Sequence, residues 1–307
     1  MGVKYALTVV IPTYNRCELL KFSLHSINRQ SADPRSFEVI VVDDGSSDAT
    51  RSAVEEFPAK FALRYLYQAD LGYRVASARN LGITESAGEI VLFLDSGVLL
   101  ATDAIEKHLK AHGESGTASV ILGYVLGTHN EFSTDEGLPD VTGFIDPDDV
   151  DGSVVKLRRD LGLEDVREPI FSTCKDDLMR LPAPWAIFWT QNVSVAKAAL
   201  TAAGLFDRNF DLRWGVEDLE LGYRLIKNGI RYRLSREAIS IHYPHFSDTE
   251  AKLEQERQNK KYFHAKFPCR ETELLLQTNV FTLNEWLIKS ESDDKVKHGF
   301  SDVVAPA

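Results

Sequence analysis

Residues 37–50, FEVIVVDDGSSDAT, decide the fold. A short apolar run rich in β-branched residues from Phe37 to Val42 reads as a strand, and the polar turn Asp43-Asp44-Gly45-Ser46 ends it. Two carboxylates at the end of an apolar strand are costly to bury unless something pairs with them. A base or ribose would supply that partner; an Asx-turn or a helix cap, with Ser47 or Asp48 in reach, is the structural alternative.

The same punctuation recurs on either side. Leu7–Ile11 is a second strand, Leu19–Ile27 has helical apolar spacing, and helices near Asp48–Phe57 and Val75–Ser86 alternate with strands at Ala62–Tyr67 and Ile90–Leu94. Alternation of this kind predicts an α/β fold with a mostly parallel central sheet flanked by helices. Ligands of such sheets bind beyond the carboxyl ends of the strands. Three loops, Pro12-Thr13-Tyr14-Asn15-Arg16, Asp43-Asp44-Gly45-Ser46 and Asp95-Ser96-Gly97, therefore converge on one crevice.

Further along, residues Thr128–Asp151 are acidic and rich in Gly and Pro, the composition of a long surface loop or lid. Trp185–Val195 reads as a strand, Ala196–Ala203 as a short helix, and Glu217–Lys227 as an amphipathic helix opened by acidic residues. A polar helix over Thr249–Lys266 begins a C-terminal extension. The expected division is two halves of one domain, 1–100 and 101–246, and a helical extension, 247–307.

The 307 residues carry 46 acidic and 35 basic side chains, a net charge of -11, which disfavours nucleic acid or an anionic membrane as the main partner. Cys17, Cys174 and Cys269 are too scattered for a disulfide framework or a zinc site, and a reducing cytoplasm fits best. No stretch reaches membrane-spanning length. A dinucleotide-binding Gly-X-Gly-X-X-Gly after the first strand and a phosphate-binding P-loop are both missing, which argues against a dehydrogenase. Oligomeric state is not legible.

VVIPTYNRCELLKFSLHSI (9–27), FEVIVVDDGSSDAT (37–50), ARNLGI (78–83) and FLDSG (93–97) together resemble, collinearly, the nucleotide-binding half of inverting, GT-A-type family 2 glycosyltransferases. The resemblance implies a nucleoside diphosphate sugar donor, with a UDP-linked hexose or N-acetylhexosamine foremost. It places Pro12, Thr13, Tyr14, Asn15, Asp43 and Asp44 around the base and ribose, and Arg79 near base or phosphates. QADLGYRVASARNLGI (68–83) is similar to the matching segment of chondroitin-polymerase-like enzymes, which would put Gly72 and Tyr73 at the donor pocket. Read without the family, Arg79 is equally a helix-surface cation and Tyr73 a packing aromatic.

Asp95-Ser96-Gly97 stands where the family carries Asp-X-Asp, so Asp95 and Ser96 are donor-site candidates and the second metal-binding carboxylate is replaced by glycine. A hard cation, Mn2+ or Mg2+, prefers oxygen ligands, and Gly97 offers only its backbone. The resemblance brings His242 of ISIHYPH (239–245) to Asp95 as a second metal ligand; a buried, hydrogen-bonded histidine is the alternative, and His245 is a weaker candidate.

RWGVEDLE (213–220) resembles the Trp-Gly-Gly-Glu-Asp element of galactosyltransferase-like enzymes, with Val216 in place of the second glycine. The resemblance implies Asp218 as the base that takes the acceptor's proton, Glu217 as a grip on an acceptor hydroxyl, and Trp214 with Gly215 as a platform for a sugar ring. The bland alternative is that Glu217, Asp218 and Glu220 complement a helix N-terminus. Gln191 and Asn192 match an acceptor-side strand, or are structural amides; Trp185, Phe188 and Trp189 read as core. The implied activity is inverting sugar transfer to a carbohydrate, small-molecule or peptide acceptor. A nucleotide-sugar-binding protein that has lost catalysis is the alternative, motivated by Gly97.

Overall fold

A computed structural model describes residues 5–127, 141–245 and 249–290. The chain begins with β1 (Tyr5–Thr13), α1 (Cys17–Asn28), β2 (Phe37–Asp43), α2 (Thr50–Glu55), β3 (Ala62–Tyr67), α3 (Val75–Glu85) and β4 (Gly88–Leu94). These strands pair in parallel, with Val9 beside Val39 and Val91 beside Thr8, because each connection between them contains a helix; β3, at the sheet edge, is only partly buried. β2 is buried at every position.

The second half adds β5 (Val98–Leu100), α4 (Ala104–Ser115), β6 (Ser119–Leu126), α5 (Val150–Leu161), α6 (Glu168–Cys174), β7 (Asn192–Ala196), α7 (Lys197–Ala202), α8 (Glu217–Lys227), β8 (Arg231–His242), α9 (Thr249–Lys266) and α10 (Arg270–Leu275). All strands form one mixed sheet in the order β3-β2-β1-β4-β7-β6-β8-β5. β7 runs antiparallel to both β4 and β6, so it joins the nucleotide half to the rest.

Two expectations change. The strand read at Trp185–Val195 is shorter, since β7 starts at Asn192 and Pro184–Ile187 is a 3-10 turn. Its apolar residues fill space beneath α8 instead of pairing: Trp185 and Phe188 are 2% and 0% exposed. Of the proposed lid, residues 128–140 lie outside the described residues, while Val150 and Asp151 already belong to α5, capped by Asp149, which accepts from the Gly152 N–H.

The C-terminal extension packs against α8 and the segment before β7. Phe263, Leu275, Leu283 and Leu287 share one apolar cluster with Trp185, Trp189, Val216 and Leu219. Lys266 of α9 is bonded to Asp207 (2.6 Å) and to the buried Glu220 of α8 (2.7 Å). No helix among the described residues is long and apolar enough to cross a membrane.

Candidate active site

The three strand-end loops are stitched together by their own polar groups. The Asp44 N–H donates to the Thr13 carbonyl (2.9 Å), Ser96 Oγ to the Pro12 carbonyl (3.1 Å), and the Ser47 N–H to Asn15 Oδ1 (2.8 Å). Asn15 holds a left-handed conformation (φ 49°), which asparagine tolerates better than most residues. Asn15 and Ser96, read as donor contacts, are thus also the clips that hold the crevice in shape.

Asp43 and Asp44 divide the two roles open to them. Asp43, 1% exposed, takes up both its oxygens inside the protein: Oδ1 accepts from the Gly45 and Ser46 N–H groups (3.0 and 2.7 Å) and Oδ2 from the Tyr65 hydroxyl (2.7 Å). Asp43 is therefore a turn former. Asp44 accepts from Gln68 Nε2 (2.5 Å) and the Arg74 N–H (2.7 Å), and burial raises its pKa against those bonds. Tyr14 is 46% exposed and bonded to Asp70 (3.0 Å), whose Oδ1 accepts from the Gly72 N–H.

Beyond these loops lies a cavity of about 400 Å³. Tyr73, Arg79, Asp95, Gln191, Trp214, Gly215, Glu217, Asp218 and His242 line it, so the sequence candidates from both halves meet there. Pro12, Thr13, Tyr14, Asn15, Asp43, Asp44, Gly72, Ser96 and Asn192 do not line it.

Arg79 is the hub. Its guanidinium is buried, donating to Glu217 Oε1 (2.8 Å) and to Asp95 Oδ1 (3.1 Å), and it stacks 5.5 Å from the Phe206 ring. Burial alone would lower its pKa, but the fields of Asp95 and Glu217 outweigh burial and raise it. It is therefore a buried cation that ties Asp95 to the start of α8, and not a surface arginine.

α8 begins under backbone strain. Gly215 and Val216 have φ of 85° and 75°, and a β-branched residue in that left-handed region costs about 1–3 kcal/mol. The family's frequent second glycine would relieve this. Here α9 holds the turn instead: the fully buried Asn259 donates to the Gly215 carbonyl (2.7 Å) and accepts from Arg213 Nε (2.9 Å), while Gln255 accepts from the Trp214 N–H (2.8 Å). That turn delivers Glu217 and Asp218 side by side. Asp218, partly exposed to the cavity, accepts from the Leu219 N–H (2.8 Å). Burial and then the Glu217 charge push its pKa well above the ordinary carboxylate value, and Arg79 pulls the other way without cancelling them.

β8 brings His242 to the Asp95 turn, since His242 pairs with Val98 and the Tyr243 N–H donates to the Gly97 carbonyl (2.8 Å). One carboxylate and one imidazole on the same cavity fit two positions of a Mn2+ or Mg2+ that takes its remaining ligands from phosphates and water. Among the described residues no group of three His, Cys, Asp or Glu side chains forms a complete site. His245, 5.0 Å from His242 between ring centroids, accepts from Arg16 (2.8 Å), and burial and then that cation lower its pKa.

Asn192 is held as a structural amide within the sheet. It is 1% exposed, donates to the Ala238 carbonyl and Ser240 (both 3.0 Å), and accepts from His108 Nε2 (2.8 Å). Gln191 does reach the cavity. So does Trp189, read as core, together with Lys252, Leu253 and Glu256 of α9 and Asn279, Val280 and Phe281 beyond α10. No sequence signal marks these, because α9 is polar all round and shows no stripe that names an inward face.

Among the described residues, the buried side-chain polar atoms without a hydrogen-bond partner are Thr13 Oγ1, Arg74 Nε, Arg79 Nε, Gln191 Oε1 and Glu217 Oε2. Those of Arg79, Gln191 and Glu217 belong to residues that line the cavity, and because native interiors satisfy such groups, the cavity is a place for a ligand.

The model of the family described as "Glycosyl transferase family 2" matches residues 8–154. A validoxylamine A glucosyltransferase of Streptomyces hygroscopicus subsp. limoneus is 38% identical over 268 residues, covering 87% of this chain and 58% of that protein. The chain thus spans less than two thirds of that relative's length. An uncharacterized glycosyltransferase, YfnE of Bacillus subtilis, is 34% identical over 279 residues, covering 85% of this chain and 70% of its own. The crystal structure of S. aureus TarS 1-349 in complex with UDP-GlcNAc superimposes with a TM-score of 0.60 at 19% identity, covering 85% of this chain and 66% of that one. With the family match, the sequence relationship and the structural superposition in agreement, the chain has the GT-A fold and belongs to glycosyltransferase family 2.

Proposed function

We propose that the chain is an inverting glycosyltransferase that moves a hexose or N-acetylhexosamine from a UDP-linked donor to a hydroxyl or similar nucleophile of a carbohydrate, small-molecule or peptide acceptor. The observation that carries this reading is the partnerless buried polar atoms of Arg79, Gln191 and Glu217, residues that line one cavity. The name of the validoxylamine A relative makes UDP-glucose the first donor to test.

In this reading the donor's base and ribose lie along Thr13, Tyr14 and Asp44, and its sugar enters the cavity past Tyr73 and Asp95. Asp218 takes the acceptor's proton as the acceptor oxygen bonds to the anomeric carbon from the face opposite the diphosphate. The bond to the diphosphate breaks in the same displacement, and its electron pair leaves with UDP. The raised pKa of Asp218 suits this task, because a carboxylate that is hard to keep ionised is a stronger base once it is. Glu217, fixed by Arg79 through Oε1, keeps Oε2 for an acceptor hydroxyl. Asp95 and His242 would hold the divalent cation, whose chemistry is to stabilise charge on the leaving diphosphate.

The test is Asp218→Asn. Transfer from UDP-glucose is expected to fall by at least about 100-fold while UDP binding by calorimetry holds. Full transfer by this variant would remove Asp218 from the base role. Wild-type donor binding with neither transfer nor hydrolysis, across acceptors and metals, would favour the binding-protein alternative that Gly97 raises.

A further inference from the structure

We propose that Arg16 binds the donor's diphosphate as a fixed cation, sharing with the divalent metal the charge stabilisation that the missing second carboxylate at Gly97 leaves short. This rests on the transferase reading above and adds a donor residue to it.

Arg16 ends the loop that follows β1 and stands immediately before α1. Its guanidinium is half-buried, and Nη1 lies 2.8 Å from His245 Nε2. His245 Nδ1 lies 3.1 Å from the Tyr243 carbonyl, which can only accept, so the ring proton sits on Nδ1 and Nε2 offers its lone pair to Arg16. The imidazole is thereby neutral. It fixes the guanidinium without compensating its charge, and among the described residues no carboxylate oxygen lies within 4.0 Å of the Arg16 nitrogens. Burial lowers the Arg16 pKa, and the field of Asp95, too far away to pair, does not cancel that. The neighbouring arginines differ: Arg74 is 3.4 Å from Asp44, and Arg79 is bonded to Glu217 and Asp95. Of these three, Arg16 keeps its charge for a ligand.

Its position fits the same group of the donor. Thr13 and Tyr14 of its own loop belong to the strand-end crevice assigned above to base and ribose, while Asp95 and His245 line the cavity assigned to the sugar. The diphosphate joins ribose to sugar, so it crosses the edge between crevice and cavity, and Arg16 is bonded to His245 on that edge. The His242 ring, assigned to the metal, is centred 5.0 Å from that of His245. A guanidinium presents paired N–H donors that match phosphate oxygens, and with Nη1 held by His245 the donors of Nη2 and Nε are left for them. As the bond from the anomeric carbon to the diphosphate breaks, negative charge grows on the leaving phosphate, and a cation already in place stabilises it.

The test measures binding of UDP by calorimetry and of uridine by NMR titration to the full chain, each with Mn2+ and with a chelator. Arg16→Gln is expected to weaken UDP at least about 10-fold in both conditions while uridine changes by less than about 3-fold. A residue that only clips the loop to the end of β8 would, when replaced, weaken both ligands together. The chelated wild type is expected to bind UDP at least about 10-fold more tightly than uridine, a measurement that stands even if the variant fails to fold. An unchanged UDP-to-uridine ratio in Arg16→Gln, or parity of the two ligands in the chelated wild type, would each overturn the inference and leave the transferase reading in place. A wild type that binds neither UDP nor uridine would sink the transferase reading, and this inference with it.

Discussion

Replacing Arg79 by methionine removes the cation that joins the two halves of the site while filling much of its volume. The Arg79 and Glu217 side chains are 5% and 6% exposed, so Glu217 loses its 2.8 Å partner where little solvent can compensate, and its other oxygen already has none. Removing one member of a buried ion pair costs about 3–5 kcal/mol. Asp95, 31% exposed, loses its bond (3.1 Å) where solvent compensates, so it adds little. Stability at pH 7 is therefore expected to fall by about 3–5 kcal/mol. The pH dependence follows from Asp218, whose pKa is already raised by burial and by Glu217 and is lowered by Arg79. Without Arg79 it rises further. A carboxyl whose folded pKa exceeds its unfolded value favours the folded state at low pH and loses that contribution as pH climbs through the folded pKa. The deficit of Arg79→Met should then be largest above neutrality and shrink toward pH 5, and the acid limb of the pH–rate profile should move to higher pH. Urea unfolding followed by tryptophan fluorescence at pH 8, 7 and 5, with UDP release across the same range, measures both. A deficit below about 1 kcal/mol at pH 7, or one equal at pH 5 and 8, would refute the hub role.

Asn259→Ala leaves the Gly215 carbonyl and Arg213 Nε without the partners they have at 2.7 and 2.9 Å, and a loss of about 2–3 kcal/mol is expected. Transfer should fall more than UDP affinity, because the turn it frees carries Asp218 and not the nucleotide loops; equal losses in both would contradict this. Burial lowers the pKa of His108 to about 4, against its bond to Asn192, and burial and then the His108 charge take His112 to about 4. Both folded values lie below the unfolded one, so stability is full above about pH 6.5 and is lost as pH falls toward 4, by about 2 kcal/mol for each histidine at pH 5. Unfolding midpoints that stay flat between pH 7 and 5 would rule this out, and His108→Gln should flatten the slope.

The sequence by itself determined the strand–helix alternation, the three strand-end loops and the pairing of Glu217 with Asp218 at a helix start. Each depends on residues a few positions apart: a β-branched run, a turn after it, acidic residues at the first turn of a helix. It carried the family as well, because those segments are collinear with it. Tertiary structure decided which polar side chain is free to act. Asp43 and Asp44 are neighbours with the same chemistry, and the Tyr65 hydroxyl, 22 residues away, helps commit one of them to the scaffold. Asn192 and Gln191 are divided in the same way by His108 and Ala238. The share of α9 in the cavity was hidden for a different reason. A helix polar on every side, like α9, gives no periodic sign of the face it buries, and only its docking through Asn259 and Lys266 turns Lys252 and Glu256 toward Trp214 and the cavity. Local pattern follows from backbone preference and hydrophobic period, whereas the availability of a carboxylate or an amide depends on partners that the chain brings near only when it closes.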